Sequence, residues 1–245
     1  MKPIRTPPRD PPLLLAFGAH PDDIEFGCGG VIARETQAGR GAHFVVCSRG
    51  EAGTHGTAAQ RSAEARRAAN LLGATLEFVN LGGDARIEVR RAHVMVLAGI
   101  MRRIRAPIVL APTPVENQHP DHAALGRMVR EAARLARYGG VRALRHWPAH
   151  AIDQLLFYAI TVEGEPAGVA PVLLDVSAPR IRRAWRAAMA AHASQARTRR
   201  YLEFQEARAR VQGERAGVAL AMALYPNDPL MFTSLAALGR AARHI

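Results

Sequence analysis

The sequence has very few cysteines and almost no lysine, and it has no long hydrophobic run near its start. Its 245 residues include two cysteines, Cys28 and Cys47, and a single lysine, Lys2. Two cysteines cannot build the disulfide framework of a small secreted protein, so we expect a reducing compartment and a cytoplasmic location. Residues 1–12 carry charge and proline but no apolar core, and the run that follows, "LLLAF", is short. We therefore expect neither a signal peptide nor a membrane span.

Aromatic residues are scarce, whereas arginine is abundant. Aromatic residues make up 5% of the chain, while the formal net charge is +12, from 33 basic and 21 acidic residues. Nucleic-acid binding would favour aromatic residues interleaved with the basic ones, so we expect no nucleic-acid partner. The arginines recur at helical spacing, as in "RSAEARRAA" and "RIRRAWRAA", which indicates solvated helix faces.

The overall composition is typical of a soluble globular protein. Hydrophobic residues make up 49% of the chain and charged residues 22%. A chain of this length can form one large α/β domain with a sizeable core. We expect residues 1–245 to form a single domain, with residues 1–12 as a flexible lead.

Short apolar runs alternate with segments of helical periodicity in the first 140 residues. The predicted strands cover residues 13–19, 43–48, 75–81 and 107–113, and the predicted helices cover residues 27–39, 58–72, 89–104 and 119–138. Four strand-then-helix units in series predict a three-layer, Rossmann-like, doubly wound α/β fold with a mainly parallel sheet.

The signal is weaker beyond Gly140. Ser177 is the predicted N-cap of a helix that starts near Pro179. The other predicted elements are two strands within residues 146–161 and 170–177, the continuation of that helix to about Gln195, and a last helix over residues 203–215.

Histidines and carboxylates follow the predicted strands where these end. "AHPDD" follows the first strand, "SRGEAGTHG" the second, "LGGD" the third and "TPVENQHPDH" the fourth. Ligands of open α/β sheets bind outside the carboxyl ends of the strands, so four loops would converge on one crevice. His20 and Asp23, with His122 from the fourth loop, would form a 2-His-1-carboxylate set for a divalent metal. Asp22 would then be the base that activates a water molecule at the metal.

A single "HPD" motif has a simpler interpretation as a helix cap. Aspartate caps helices, and proline favours their first turn. Two such motifs at strand ends of one parallel sheet favour a functional site instead. The small residues of "GCGG" are expected to pack closely against the sheet, which leaves Cys28 outside the predicted site.

These motifs resemble those of the LmbE-like, or PIG-L-like, zinc-dependent N-deacetylases, which carry "HPDD" after the first strand and "HPDH" after the fourth. The resemblance covers most of the chain. It extends in family order through "RGE", "GTAAQRSAEARRAANLLGA", the aspartate after the third strand, "AHASQ" and "EARARVQGERAGV". It implies an LmbE-like deacetylase fold and the hydrolysis of an N-acetyl group.

The resemblance also implies roles for individual residues. Asp22 would be the general base, His119 would stabilise the oxyanion or donate a proton, and Asp121 would orient His119. One Zn²⁺ per chain, or another divalent metal such as Fe²⁺, would be bound by His20, Asp23 and His122. The implied substrate-binding residues are Arg61, Asp84, His192 and Arg49.

The family's substrates are N-acetylated glucosamine units on small carriers, so the resemblance implies a small sugar conjugate as the partner and no membrane partner. One candidate is N-acetylglucosaminyl-malate of bacillithiol synthesis, which the block "LEFQEARARVQGERAGV" favours. The chain departs from those relatives at "LAMALYPNDPL" and at His192, where they tend to have tyrosine. Related deacetylases are often homo-oligomers, and the Ala-rich late helices could form an interface.

Other classes stay open at this point. One is a Rossmann-like nucleotide- or nucleic-acid-binding protein without hydrolase activity, although "GAHPDDIEFGCGG" puts two aspartates where a pyrophosphate would approach. Another is a metal-dependent hydrolase of a different amide or ester. A phosphoesterase with two metals would need ligands for a second ion.

Overall fold

The computed structural model describes residues 13–116, 119–196, 200–237, 239 and 241. The expected flexible lead, residues 1–12, lies outside the described residues. The elements are β1 (Leu14–Gly18), α1 (Asp23–Gln37), β2 (Ala42–Val46), α2 (Ala58–Leu71), β3 (Thr75–Phe78), α3 (Arg91–Ile104), β4 (Ile108–Pro112), α4 (Pro120–Arg137), β5 (Gln154–Tyr158), β6 (Val172–Asp175), α5 (Pro179–Ala191), α6 (Ala193–Ala196), α7 (Tyr201–Ala216) and β7 (Ala221–Pro226).

The strands form a seven-stranded sheet in the order β3-β2-β1-β4-β5-β7-β6. The first five of these strands are parallel, and β7 runs antiparallel to both β5 and β6. The predicted α/β fold with a mainly parallel sheet is thus confirmed. Strand order reverses between β1 and β4, so the loops that follow these two strands flank the crevice where ligands of such sheets bind.

Helices cover both faces of the sheet, and β1 is buried on both sides. Leu14 and Ala16 belong to a core cluster shared with α1, α2 and α5, whereas Leu15 and Phe17 belong to a cluster shared with α3 and α4. This explains why β1 is a continuous apolar run rather than an alternating one. Within the described ranges, no helix has both the length and the apolarity needed to cross a membrane.

The C-terminal third differs most from the prediction. Strand β7 was not predicted, and α5 ends at Ala191 instead of continuing to Gln195. The prediction of Ser177 as a helix cap is wrong, because the N-cap of α5 is Ala178. The Ser177 hydroxyl instead donates to the carbonyl of Leu220 at 3.1 Å and accepts from its N–H at 2.9 Å, which ties the start of α5 to the segment before β7.

Helix α1 begins at Asp23, four residues before the predicted start, and its glycines lie inside the helix. A Cβ atom at Gly27 would overlap the ring of Tyr158 on β5, and one at Gly29 would lie 2.8 Å from Cδ1 of Trp185 on α5. The close packing expected of the "GCGG" segment is therefore confirmed.

Arg102 is an exception to the expectation that the arginines lie on solvated helix faces. Its side chain is 1% exposed, and none of its bonds goes to a carboxylate in the part of the chain that the structure describes. It donates to backbone carbonyls, including those of Ala136 at 2.9 Å, Tyr138 at 2.6 Å and Leu144 at 2.8 Å. Arg102 thus satisfies the free carbonyls at the C-terminal end of α4, where a cation is also favourable to the helix dipole.

Replacement of Gly27 by alanine should destabilise the fold. The new methyl group would meet the ring of Tyr158, which cannot easily move because its hydroxyl donates to the Phe17 carbonyl at 2.7 Å. We expect Gly27→Ala to lower the free energy of unfolding in urea by about 1–3 kcal/mol. Gly99→Ala is the matched control, since its Cβ would lie 3.7 Å from Leu144, and it should stabilise α3 by up to about 1 kcal/mol. Equal stability of the two variants would contradict the packing argument.

Candidate active site

The loops after β1, β2, β3 and β4 meet at the carboxyl edge of the sheet and line one cavity. Seven of the predicted site residues line it, namely His20, Asp22, Asp23, Arg61, Asp84, His119 and His122. The convergence of loops that the sequence predicted is therefore observed.

Three donor atoms at this edge lie close enough together to hold one metal ion. His122 Nε2 lies 3.1 Å from both His20 Nδ1 and Asp23 Oδ1, and His20 Nδ1 lies 3.6 Å from Asp23 Oδ2. Ligand atoms about 2.0–2.2 Å from a tetrahedral zinc ion lie roughly 3.3–3.6 Å apart. Two imidazole nitrogens and a carboxylate oxygen that face one another offer lone pairs to a cation, so the residues present fit a divalent metal.

The other ring nitrogen of His20 is held by carboxylates. His20 Nε2 lies 3.1 Å from Asp84 Oδ1 and 3.1 Å from Asp121 Oδ2, the usual arrangement behind a metal-binding histidine. Burial alone would lower the pKa of His20, but Asp23, Asp121 and Asp84 hold that pKa well above its ordinary value. These carboxylates would also attract a metal cation to the opposite side of the ring.

Two other groups of possible donors lie at this edge, one formed by His20, His119 and His122 and one by His20, Asp84, His119 and Asp121. The oxygens of Asp121 are already used, since they accept from the backbone N–H groups of Ala85 at 2.8 Å and Ile87 at 3.3 Å. The assignment of His20, Asp23 and His122 as the metal ligands stays a prediction.

Asp23 folds back over the loop that precedes it. Its Oδ2 accepts hydrogen bonds from the backbone N–H groups of Ala19 at 2.8 Å and His20 at 2.9 Å, which leaves Oδ1 facing His122. Burial alone would raise the pKa of Asp23, yet His122 and His20 hold that pKa well below its usual range. Asp23 is therefore an ionised carboxylate, as metal coordination requires.

Asp22 occupies the N-cap position of α1 without capping the helix. Its side chain makes no capping hydrogen bond, and its backbone has φ 117° and ψ −25°, a left-handed conformation that is rare for a residue other than glycine. Burial and the neighbouring Asp23 raise the pKa of Asp22 to about 6, while Arg61 opposes this rise. The simple helix-cap interpretation therefore fails at this aspartate, whose carboxylate lines the cavity.

The helix-cap interpretation does hold for the second motif. His119 is the N-cap of α4, Pro120 is the first helical residue, and His119 Nδ1 accepts from the backbone N–H of Asp121 at 3.2 Å. The neutral ring therefore carries its proton on Nε2. Burial, then the nearby His20 and His122, lower the pKa of His119 and favour this neutral form.

The predicted contact between the Asp121 carboxylate and His119 is not observed among the described residues. That carboxylate contacts His20 Nε2 and two backbone N–H groups of the loop after β3, and Asp121 contacts His119 through its backbone N–H alone. The reason is local: Asp121 lies in the first turn of α4, where its side chain reaches the neighbouring loop while its N–H is left for the cap.

Arg61 and Asp84 both lie in the cavity wall, as predicted. Arg61 is 5% exposed, and its Nη1 lies 3.6 Å from Asp84 Oδ2. The pKa of Asp84 is lowered, mainly by a hydrogen bond from His20. Burial acts in the opposite direction but does not outweigh this effect. Asp84 Oδ2 also accepts from the Ala52 N–H at 3.2 Å, which joins the loops after β2 and β3.

His192 and Arg49 do not line the cavity. His192 is fully buried at the end of α5, with Nε2 3.4 Å from Glu25 Oε2. Burial alone would lower the pKa of His192, but Glu25 raises it above the ordinary value. Arg49 is exposed, and its guanidinium lies 5.7 Å from the ring centroid of Phe78. Neither residue lines the cavity with the other seven, although the buried His192 lies close enough to Asp22 for the two side chains to influence each other's pKa.

Several cavity residues were not predicted from the sequence, namely Phe26, Thr54, Ile160, Gln195 and Tyr201. The rings of Phe26 and Tyr201 stack with centroids 5.2 Å apart, and Gln195 Nε2 donates to the His55 carbonyl at 2.8 Å. Gln195 had a signal, since it belongs to the family-like block "AHASQ". The two aromatic residues read as ordinary core positions in the sequence.

Comparison with known proteins gives a consistent result. Residues 15–133 match the family model PIG-L, described as GlcNAc-PI de-N-acetylase. The solved structure of a conserved protein from Thermus thermophilus is 31% identical with a TM-score of 0.79, covering 93% of this chain and 99% of that chain.

Two curated relatives are similar over part of their length. Diacetylchitobiose deacetylase of Thermococcus kodakarensis is 29% identical over 167 residues, which are 63% of this chain and 62% of that protein. 4-Oxalmesaconate hydratase of Pseudomonas putida is 29% identical over 140 residues, which are 52% of this chain and 54% of that protein. The chain thus spans less than two thirds of the length of these relatives.

The matched segment runs from β1 into α4 and contains both histidine motifs, Arg61 and Asp84. The similarity to the Thermus protein extends over almost the whole of both chains. This chain therefore belongs to the PIG-L family of LmbE-like deacetylases.

Proposed function

We propose that this protein is a zinc-dependent hydrolase that removes the acetyl group from a small N-acetylglucosamine-type conjugate. The observation that carries the proposal is the convergence of His20 Nδ1, Asp23 Oδ1 and His122 Nε2 beside Asp22 in one cavity. The name of the Thermococcus relative, a diacetylchitobiose deacetylase, supports an N-acetylated sugar as the substrate class.

His20, Asp23 and His122 would hold the metal, which when bound would polarise the amide carbonyl and make a water molecule more acidic. Asp22 accepts a proton from that water as its oxygen attacks the carbonyl carbon. His119 donates a hydrogen bond from Nε2 to the developing oxyanion. The C–N bond then breaks, the proton held by Asp22 passes to the leaving amine, and the products are acetate and a free amino sugar.

N-acetylglucosaminyl-malate is the more specific substrate that we propose for testing, on the basis of the sequence blocks shared with bacillithiol-type deacetylases. We propose further that the partner is this small molecule rather than a nucleic acid or a membrane, and that the protein acts in the cytoplasm. Roles for His192 and Arg49 in substrate binding, and assembly into a homo-oligomer, stay predictions from the sequence.

A hydratase is a second candidate, because the Pseudomonas relative is named as one. The same pair of Asp22 and a metal could activate water for addition to an electron-poor carbon–carbon double bond. No bond to nitrogen would then break, and no acetate would be released. The two candidates are therefore separated by their products.

Acetate release tests the proposed function directly. We expect the zinc-loaded protein to release acetate from at least one of N-acetylglucosaminyl-malate, N-acetylglucosaminyl-inositol and N-acetylglucosamine. Asp22→Asn should lower kcat by about 10²–10⁴-fold because the water loses its proton acceptor, while the bound zinc is retained. Asp153→Asn, an exposed carboxylate just before β5, is the matched control and should keep full activity.

Two results would contradict this expectation. Absence of acetate from all three substrates, together with hydration of an unsaturated dicarboxylic acid, would favour the hydratase. Equal rates for Asp22→Asn and Asp153→Asn would remove Asp22 from its assigned role.

Metal content tests the ligand set independently of the substrate. We expect about one Zn²⁺ per chain by elemental analysis, and loss of both metal and activity in His122→Ala. His146→Ala, which removes an exposed histidine before β5, should bind zinc like the unaltered protein. Chelation should abolish activity, and added zinc should restore it. A stoichiometry near two would instead indicate a two-metal phosphoesterase.

A further inference from the structure

Arg61 is buried in a space that two glycines of the neighbouring loop leave open. It lies in the first turn of α2 and is 5% exposed, whereas Arg66 and Arg67 on the same helix are exposed. A Cβ atom at Gly50 would overlap the guanidinium, and one at Gly53 would lie 2.6 Å from Nη1. The position of the guanidinium is thus determined by the loop after β2.

The two terminal nitrogens of this guanidinium already donate to acceptors of the protein. Nη1 donates to the Gly50 carbonyl at 3.1 Å and lies 3.6 Å from Asp84 Oδ2. Nη2 donates to the Pro21 carbonyl at 3.1 Å and lies 3.4 Å from Asp22 Oδ2. Nε is buried and has no hydrogen-bond partner among the described residues. Three of the five N–H groups of the arginine therefore donate to the protein, and these include the groups of Nη2 that hold Pro21 and Asp22.

The two groups that Nη2 contacts are the carbonyl just before Asp22 and the carboxylate of Asp22, the residue with the most strained backbone in the site. The left-handed backbone of Asp22 is strained and persists only where the surroundings hold it. The Pro21 carbonyl belongs to the peptide group that precedes Asp22, so its direction changes when φ of Asp22 changes. Arg61 therefore holds both the peptide group before Asp22 and the carboxylate of Asp22.

The positive charge of Arg61 also offsets the repulsion between the carboxylates of Asp22 and Asp23. Asp22 and Asp23 are adjacent carboxylates, and their repulsion favours an arrangement in which the Asp22 side chain turns away. A guanidinium can hold a carboxylate and a carbonyl at once because its donors are fixed in one plane, whereas an ammonium group is a single point charge. The contacts made here require an arginine.

We propose that Arg61 is a positioning residue that holds Asp22 in its left-handed conformation beside the metal ligands, rather than a residue that binds the substrate. The inference rests on the proposed function, in which Asp22 accepts the proton from water. It replaces the substrate-binding role that the family resemblance implied for Arg61. Its consequence is that loss of the guanidinium impairs the chemical step and leaves substrate affinity unchanged.

The kinetic test compares Arg61→Lys with Arg67→Lys, a matched change on the exposed side of α2. We expect Arg61→Lys to lower kcat about 10–100-fold with KM changed less than about twofold, because a misplaced base affects the transition state alone. Gly53→Ala is a second variant, for use if Arg61→Lys fails to fold. It keeps the charge of Arg61 but crowds Nη1, so it should also lower kcat with little change in KM. A raised KM with unchanged kcat in both variants would overturn the proposal.

A crystal structure of Arg61→Lys, or of Gly53→Ala, gives a readout that does not depend on activity. We expect Asp22 to leave the left-handed region, or its carboxylate to move by about 1 Å or more. An unchanged Asp22 would overturn the proposal, whether or not the unaltered protein releases acetate. Failure of the unaltered protein to release acetate would count against the proposed function alone, and the crystal structure would still decide the role of Arg61.

Discussion

The site depends on one constraint, which is that several buried carboxylates surround a single imidazole. Asp23, Asp84 and Asp121 all lie within 3.6 Å of the ring nitrogens of His20. Each carboxylate also accepts from a backbone N–H, and two of them accept from a loop other than their own. Burial of these charges is tolerable only because the loops after β1, β2, β3 and β4 supply one another with partners. The electrostatics of the cluster therefore fix the loop geometry.

Much of this could be predicted from the sequence, and the reasons for success and failure are physical. The strands β1 and β4 are continuous apolar runs because both faces of the sheet are covered there, and the histidine motifs that follow them are local in sequence. Strand β7 also lies in an apolar run, "VALAMALYP", but it falls outside the strand-then-helix alternation of the first 140 residues, and its place is set by antiparallel pairing with the distant β5 and β6. The acceptors of Arg102 lie 33 to 45 residues away, so helical spacing alone could not reveal its burial.

The two histidine motifs look alike in sequence but differ in their role at the helix start. At the first motif the aspartate lies at the N-cap with a strained backbone and a side chain that does not cap. At the second motif the histidine caps the helix, and the backbone bears no comparable strain. Strain of this kind persists where other contacts hold it, and here it coincides with the residue to which the base function is assigned. The geometry thus distinguishes a strained aspartate that does not cap its helix from a histidine that does, although the two sequence motifs look alike.

The residues assigned to water activation do not by themselves select a substrate. A base with a raised pKa and a neutral imidazole that donates from Nε2 suit attack on an amide carbonyl and addition to a polarised double bond equally well. These residues all lie within the segment shared with the family, residues 15–133. Ile160, Gln195 and Tyr201, which also line the cavity, lie beyond it. Because those three side chains line the same cavity but lie outside the shared segment, we expect the choice of substrate to depend on this outer wall rather than on the residues assigned to water activation.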